Sequence, residues 1–376
     1  MATELSEHFP LAAFDEYPIH QSTEVLRVMA TTDPRAYERY WFSAQDDAGE
    51  MFLVIGMGFY PNLETTDAYS IFVHKNKHTT VRAYRPVGQD RANMVVGPVS
   101  LQIVRPFREW RLTLGNNSEK LKYDLTWRDT KRAIFHRIAL SMPDNPTVID
   151  SQLFLSNVGY ESFGTVEGTI EYQGRQFKLD ASRVRGSRDH HWGIRDGVGG
   201  PGHQVSAPKG SHLGQWVEFR DWSIWGWRVL YNLGEPQGGA TRIDPFEHKL
   251  RFDPITKHLV GGVIRNRLAS GQVREVTYEQ IGNQVAYLRC GMYTGPDGRG
   301  TPEEDYHHGS AVGESVAGET YDVSDAKVRM RIAGFDEHLC RVTCNGETAI
   351  GILECRNPVL YEMCRAKVPG FSLLDE

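Results

Sequence analysis

From residue 37 onward, apolar and polar residues alternate with a period of two, and the helical period is almost absent. Residues 37–44 and 51–59 alternate around the polar turn Gln45–Glu50. Residues 67–74 and 78–85 do so around Lys75–Lys77, and 99–105 runs up to Pro106. Trp110, Leu112 and Leu114 alternate with Arg111 and Thr113, and Tyr123, Leu125 and Trp127 with Asp124 and Thr126. This is the signature of half-buried antiparallel strands, one face dry and one wet. Residues 162–172 and 176–179 predict a hairpin across Gln173-Gly174. The rhythm resumes at 215–220, 224–231, 247–252, 259–266, 272–281 and 285–290, then at 327–333, 338–342 and 348–355. In 327–333 the apolar residues are Val328, Met330 and Ile332. A short helix is expected at 22–29 and another in the tail at 357–368. Residues 141–150 read as a loop or lid, 197–214 as a glycine-rich flap, and 291–319 as a polar loop.

About eighteen short strands with regular turn signals predict an all-β chain of antiparallel barrels or sandwiches. A length of 376 residues allows two domains, each with its own core. The boundary falls near residue 180, giving units 1–180 and 181–376. Barrels of eight to ten strands hold packed side chains or one small apolar ligand.

Composition narrows the function. The net charge of −6 and the absence of a Lys/Arg run argue against nucleic acid. No stretch is long and apolar enough for a transmembrane helix, which leaves only peripheral contact with lipid open. The N-terminus lacks a basic segment followed by an apolar core, so a secretory signal is not expected. The five cysteines are odd in number and form no C-x-x-C pair, as expected of thiols in a reducing cytoplasm. The oligomeric state is left open.

Chemistry concentrates in Gly186-Ser187-Arg188-Asp189-His190-His191-Trp192-Gly193-Ile194-Arg195. In an extended strand His190 and Trp192 share one face, and Asp189 and His191 the other. A carboxylate beside an imidazole can fix its tautomer and raise its pKa. Arg188 and Arg195 are placed to clamp the carboxylate or a backbone carbonyl. A purely structural alternative is an Asp189–Arg195 ion pair stapling the two barrels.

A second cluster, residues 216–228, holds Trp216, Trp222, Trp225 and Trp227. In one uninterrupted strand Asp221, Ser223, Trp225 and Trp227 share a face. An acid among indoles would be desolvated and neutral, able to protonate an alkene, and the indole faces would steady the cation. The rival is simple core packing.

No G-x-G-x-x-G follows a strand, and no P-loop or G-x-S-x-G elbow is present, so no cofactor is expected. No metal is expected either: His190 and His191 diverge in a strand, and neither H-x-x-x-H nor H-E-x-x-H occurs. His307-His308 reads as loop surface, and Cys340 and Cys344 as buried apolar residues.

The pattern Gly186-x-Arg188-Asp189-His190-x-Trp192-Gly193-x-Arg195 resembles the signature of the carotenoid 1,2-hydratase/AttH-like (hydroxyneurosporene synthase) family. That resemblance implies two lipocalin-like β-barrels in tandem with a ligand cavity near their junction. It implies cofactor-free chemistry on large unsaturated molecules, hydration and Diels–Alder cyclisation among them. It places His190 and Trp192 at the family's histidine-x-tryptophan pair and Asp189 at the preceding aspartate. A further acid in a following strand would be Asp221 or Glu218, although the sequence around them departs from the hydratase pattern.

The combined expectation is a lyase or isomerase using acid–base catalysis on a hydrophobic isoprenoid-, steroid- or polyketide-like substrate. Asp189, His190 and Asp221 are its expected catalytic groups. His191, Trp192, Trp225, Trp227, Arg188 and Arg195 are the expected substrate-binding groups. A hydrophobic-ligand carrier and a pericyclase are the competing expectations.

Overall fold

The structure, a computed structural model, describes residue 17 and residues 29–88, 90–137, 148–149, 152–153, 156–195, 197–199, 213–226, 229–232, 239–256, 258–268, 270–292 and 307–356. Residues 22–28 of the first expected helix, the helix expected at 357–368, most of the flap at 197–214, and Trp227 lie outside them.

The first half supplies β1 (Ala36–Asp46), β2 (Met51–Tyr60), β3 (Thr65–His74), β4 (Lys77–Pro86), β5 (Val95–Val96), β6 (Val99–Arg105) and β7 (Glu109–Leu114). It continues with β8 (Leu121–Asp129), β9 (Ile134–Arg137), the short pair β10 (Val148–Ile149) and β11 (Gln152–Leu153), β12 (Ser156–Tyr172), β13 (Arg175–Leu179) and β14 (Val184–Ile194). The second half supplies β15 (Leu213–Glu218), β16 (Trp222–Gly226), β17 (Val229–Asn232), β18 (Gly239–Phe252), β19 (Leu259–Leu268), β20 (Val273–Tyr287) and β21 (Ser315–Asp322). Helix α1 (Ala326–Ile332), β22 (Phe335–Cys344) and β23 (Glu347–Arg356) close it.

The all-β expectation holds. Among the described residues, one sheet runs in the order β21-β4-β3-β2-β1-β14-β12-β8-β7-β6-β5, with β9 and β13 also on β12. Strands β15 to β20 with β22 and β23 form a closed antiparallel barrel. The ladders follow the alternation because each strand must turn one row of side chains away from water.

Three elements differ from expectation. Residues 327–333 form a helix rather than a strand: Asp325 caps it, its side chain accepting from Lys327 N, and Ala, Lys, Arg and Met favour helix. The end of the loop expected at 291–319 becomes β21, which pairs with the edge strand β4. The central motif, expected to open the C-terminal domain, lies in β14 between β1 and β12 of the first sheet. The division at residue 180 therefore separates β14 from the sheet that holds it.

The curled sheet wraps a core that includes Tyr40, Phe42, Trp110 and Trp127. The barrel encloses Val217, Trp222, Ile264 and Tyr278, with Cys340, Cys344 and Cys355 among them. The four described cysteines, Cys290, Cys340, Cys344 and Cys355, are buried. A third cluster joins the units: Trp41, Phe52 and Ile71 on the outer face of the sheet meet Leu288, Leu339 and Ile352 of the barrel. Alternation thus buries both faces of β1 to β3, one in each layer. Among the described residues no helix is long and apolar enough to cross a membrane.

Two features tie β14 and the returning loop in place. Gly186 sits so close to β1 that a Cβ there would overlap the Ser43 carbonyl oxygen and press on Trp127. At the loop, Tyr60 donates its hydroxyl to Asp67 Oδ1 at 3.2 Å and lies 2.8 Å from His308 Nδ1. Gly309 N donates to Asp67 Oδ2 at 2.9 Å. Burial pushes the Asp67 carboxyl up to about 7, against the opposing pull of these hydrogen bonds and Arg39.

Gly186→Ala should lower stability by about 1–3 kcal/mol through overpacking, read as a reduced urea midpoint. An unaltered midpoint would show that β1 and β14 part easily. Asp67 gives a pH signature. An unfolded aspartate ionises near 4, whereas the folded one keeps its proton to about 7. The native state therefore binds the extra proton in between, and stability must fall as pH rises through that window, by up to ~1.4 kcal/mol per pH unit. Asp67→Asn should flatten this slope in urea unfolding between pH 5 and 7; an unchanged slope would reject it.

Candidate active site at the junction of sheet and barrel

Strand β14 carries a different charge network on each face. Toward the core of the curled sheet, Arg188 forms a two-pronged pair with Asp129, Nε to Oδ1 at 2.8 Å and Nη2 to Oδ2 at 2.9 Å. Its guanidinium also lies over the rings of Trp110 and Tyr160. His190 Nε2 is 3.0 Å from Glu38 Oε1, and Nδ1 is 3.1 Å from the Tyr160 hydroxyl. The imidazole stacks on Tyr40 with ring centroids 4.1 Å apart, and Glu38 also binds Arg91 at 2.8 Å. His190, Arg188 and Glu38 are fully buried. Trp192 is partly buried with Tyr160, Phe107 and Phe135. Each charge on this face has a counter-charge, as burial requires.

The opposite face points at the barrel. Asp189 stands across from Glu161 of β12 and Trp41 of β1. Arg39 Nη2 lies 3.2 Å from Asp189 Oδ2. His191 Nε2 is 2.8 Å from Glu161 Oε1, and its Nδ1 is 3.5 Å from Asp189 Oδ2. The imidazole thus bridges two carboxyls. It rests against Gly159, where a Cβ would strike the ring. From the barrel, Trp225 brings its ring centroid within 6.5 Å of the imidazole. The cross-strand pair Glu337 and Glu354 is buried on the same junction.

The two acids flanking His191 are driven apart. Burial raises the Glu161 carboxyl well above the ordinary range, reinforced by nearby Asp189 and opposed by Arg39 and Arg188. Burial also works to raise Asp189, but Arg39 and His191 outweigh it and hold that carboxyl below its ordinary value. A neutral acid and an ionised acid on one imidazole are the material of acid–base catalysis. Glu337 is likewise raised well above normal by burial and by Glu354.

Donor atoms of Glu161, Asp189 and His191 all lie within 4.8 Å of one another, a spacing that could hold a cation. The Arg39 guanidinium already supplies positive charge at Asp189, which weighs against a metal there.

A groove of about 250 Å³ opens between sheet and barrel, and Glu161, His191 and Asp189 are not among the residues that line it. Phe163 and Trp216 line it and also pack on Trp225. Through Trp225, whose ring faces His191, these rings are linked by contact to the array.

The expected residues are only partly brought together. Asp189, His191 and Trp225 converge. Arg195 approaches them with its guanidinium 5.6 Å from the ring centroid of Tyr37, and Asp189 takes Arg39, not Arg195, as its ion-pair partner. His190, Trp192 and Arg188 lie on the other face, and Arg188 pairs with Asp129. Asp221 is displaced altogether. Residues 216–228 are not one strand: Phe219 N bonds Trp222 O, and Arg220 and Asp221 form the tip of the β15–β16 turn. The Asp221 side chain is 64% exposed and pairs with Arg220, itself 82% exposed, so it is not an acid held among indoles. Trp222 faces the barrel core, opposite Trp225, as alternation along one strand requires. Buried His308 also departs from the surface expectation.

Glu161 and Arg39 are the groups that the sequence reading missed. The alternation was present: Asn157, Gly159, Glu161 and Phe163 share a face of β12, which begins six residues before the expected strand at 162.

Known proteins provide a frame for the chain. Among solved structures it is similar to kievitone hydratase from Nectria haematococca, with TM-score 0.47 and 9% identity over 91% of this chain and 97% of that one. It is also similar to CghA bound to Sch210972, with TM-score 0.46 and 10% identity over 86% and 89%. No curated protein matches the sequence. A family of unknown function, DUF8625, matches residues 11–227, which span β1 to β14 and the first strands of the barrel. The match covers more than half of the 376 residues, and the chain belongs to that family.

Proposed function

We propose that the chain is a cofactor-independent acid–base enzyme of the lyase or isomerase type, acting on a hydrophobic unsaturated small molecule. The isoprenoid-, steroid- or polyketide-like class remains the proposed substrate range. The observation that carries this reading is the buried Glu161–His191–Asp189 array facing the Trp225 indole at the junction.

In this proposal the substrate enters from the groove, and the rings of Trp216 and Phe163 move aside to admit it. Glu161, neutral through burial, gives its proton to one carbon of a double bond. The other carbon becomes cationic beside the electron-rich face of Trp225. Water adds to that cation or a neighbouring C–H bond breaks, and the released proton returns to the Glu161 carboxylate through His191. Asp189 stays ionised on Arg39 and orients the imidazole through Nδ1. Hydration, dehydration and double-bond migration share this cycle. Arg188, His190 and Trp192 act as supports that fix β14 from behind.

With a polyunsaturated terpenoid found by turnover screening, Glu161→Gln should lower kcat by about 10²–10⁴-fold. Asp221→Asn should leave kcat unchanged. Activity should fall as pH rises through the elevated Glu161 pKa, because the acid must be protonated. Product formed in deuterated water should carry deuterium on carbon. Full turnover in Glu161→Gln would reject the mechanism. Cyclisation without deuterium on carbon would assign the site to a pericyclase, and tight binding without turnover would make the chain a carrier.

A further inference from the structure

Two chain segments far apart in sequence are fastened to the sheet at one point. Residues 197–199 follow β14, and residues 307–310 precede β21. Gly199 N donates to the His308 carbonyl at 2.7 Å, so the first segment hangs on the second. The second hangs on β2 and β3. Gly309 N donates to Asp67 Oδ2 at 2.9 Å, and Thr65 donates its hydroxyl to the Ser310 carbonyl at 3.2 Å. The Tyr60 hydroxyl lies 2.8 Å from His308 Nδ1 and 3.2 Å from Asp67 Oδ1. Val198 packs with Tyr37 and Tyr60, and Tyr37 carries Arg195 over its ring. Tyr60, Asp67 and His308 are all buried.

One proton decides whether this fastening is complete. The Tyr60 hydroxyl has a single hydrogen and two neighbours, Asp67 and His308. His308 is neutral, held well below its ordinary pKa by burial and by Arg195 and Arg39. With Asp67 protonated, the carboxyl donates to the Tyr60 oxygen and Tyr60 donates to His308 Nδ1. With Asp67 ionised, the phenol hydrogen turns to the carboxylate, and the bond from Tyr60 to His308 is given up. The carboxylate is then a buried anion, which burial penalises. Asp67 is faced by Tyr60 of β2, Arg39 of β1, Tyr69 of its own strand, Tyr84 opposite in β4, and His308, with Arg195 and His307 behind. Arg39 favours the ionised form, but it is already paired with Asp189 at 3.2 Å.

From this geometry we infer that residues 197–199 and 307–310 form a pH-sensitive clasp on the sheet, closed while Asp67 is neutral and released when it ionises. The clasp covers Tyr37 and Tyr60 near Arg39, so its release admits water to the Arg39 end of the junction while the barrel stays folded. It goes beyond the proposed chemistry and does not depend on it.

The test is amide hydrogen exchange on the full chain, read residue by residue by NMR from pH 5 to 8 and corrected for the intrinsic pH dependence of exchange. Protection at Gly199 and Gly309 should fall by up to about tenfold per pH unit as pH rises toward 7, because the closed state holds a proton that the open state releases. Above that it should level off. Amides in the β19–β20 and β20–β22 ladders should keep constant protection. Asp67→Asn should make protection at Gly199 and Gly309 independent of pH. Tyr60→Phe, which lacks the bridging hydroxyl, should lower protection at both by about tenfold at pH 5. Protection at the two glycines that ignores pH in the parent protein, or a change shared equally by the barrel ladders, would overturn the inference. So would an unaltered pH response in Asp67→Asn.

Discussion

The ion pair between Arg39 and Asp189 is the constraint on which the junction depends. Both side chains are buried, between a curled sheet and a barrel. Removing one partner from a buried pair typically costs about 3–5 kcal/mol, because the other charge stays stranded. The pair fixes the register of β1 against β14 at the point where two layers meet. It also sets the state of its neighbours. Asp189 stays ionised, and the next carboxyl along, Glu161, takes up a proton because a second buried anion would be unmatched.

Strand β14 organises the molecule by being buried on both faces. On one face Arg188–Asp129 and His190–Glu38 are closed pairs inside the first core. On the other, His191 bridges two acids whose proton affinities differ. The first face holds the strand rigid, and the second uses that rigidity. Preorganised side chains of this kind are what an acid–base site needs, since their geometry need not be rebuilt during a reaction.

The aromatic residues divide in the same way. Trp110 and Trp127 fill the curled sheet and Trp222 the barrel, whereas Trp216 and Trp225 stand at the junction. Trp216 and Trp225 meet across the ladder closed by the β15–β16 turn, and Trp222 lies on the opposite face of β16 by alternation. That turn carries Asp221 into solvent.

Much of this was legible in the chain itself. The period of two fixed the all-β class and most strand positions, because alternation is imposed locally by one wet face and one dry one. It also foretold that Asp189 and His191 part from His190 and Trp192. Local sequence could not fix the partners. Glu161 lies twenty-eight residues before Asp189 in number and beside it in space, and only the β12–β14 ladder makes them neighbours. The split of Asp221 from Trp225 came from a tight turn within a run that alternates well enough to be one strand. The helix at Ala326–Ile332 came from a cap and good helix formers, which an apolar residue at every second position concealed. Proton affinities lay furthest from the sequence. They depend on burial and on charges from distant strands, and those distances exist only once sheet and barrel have closed on each other.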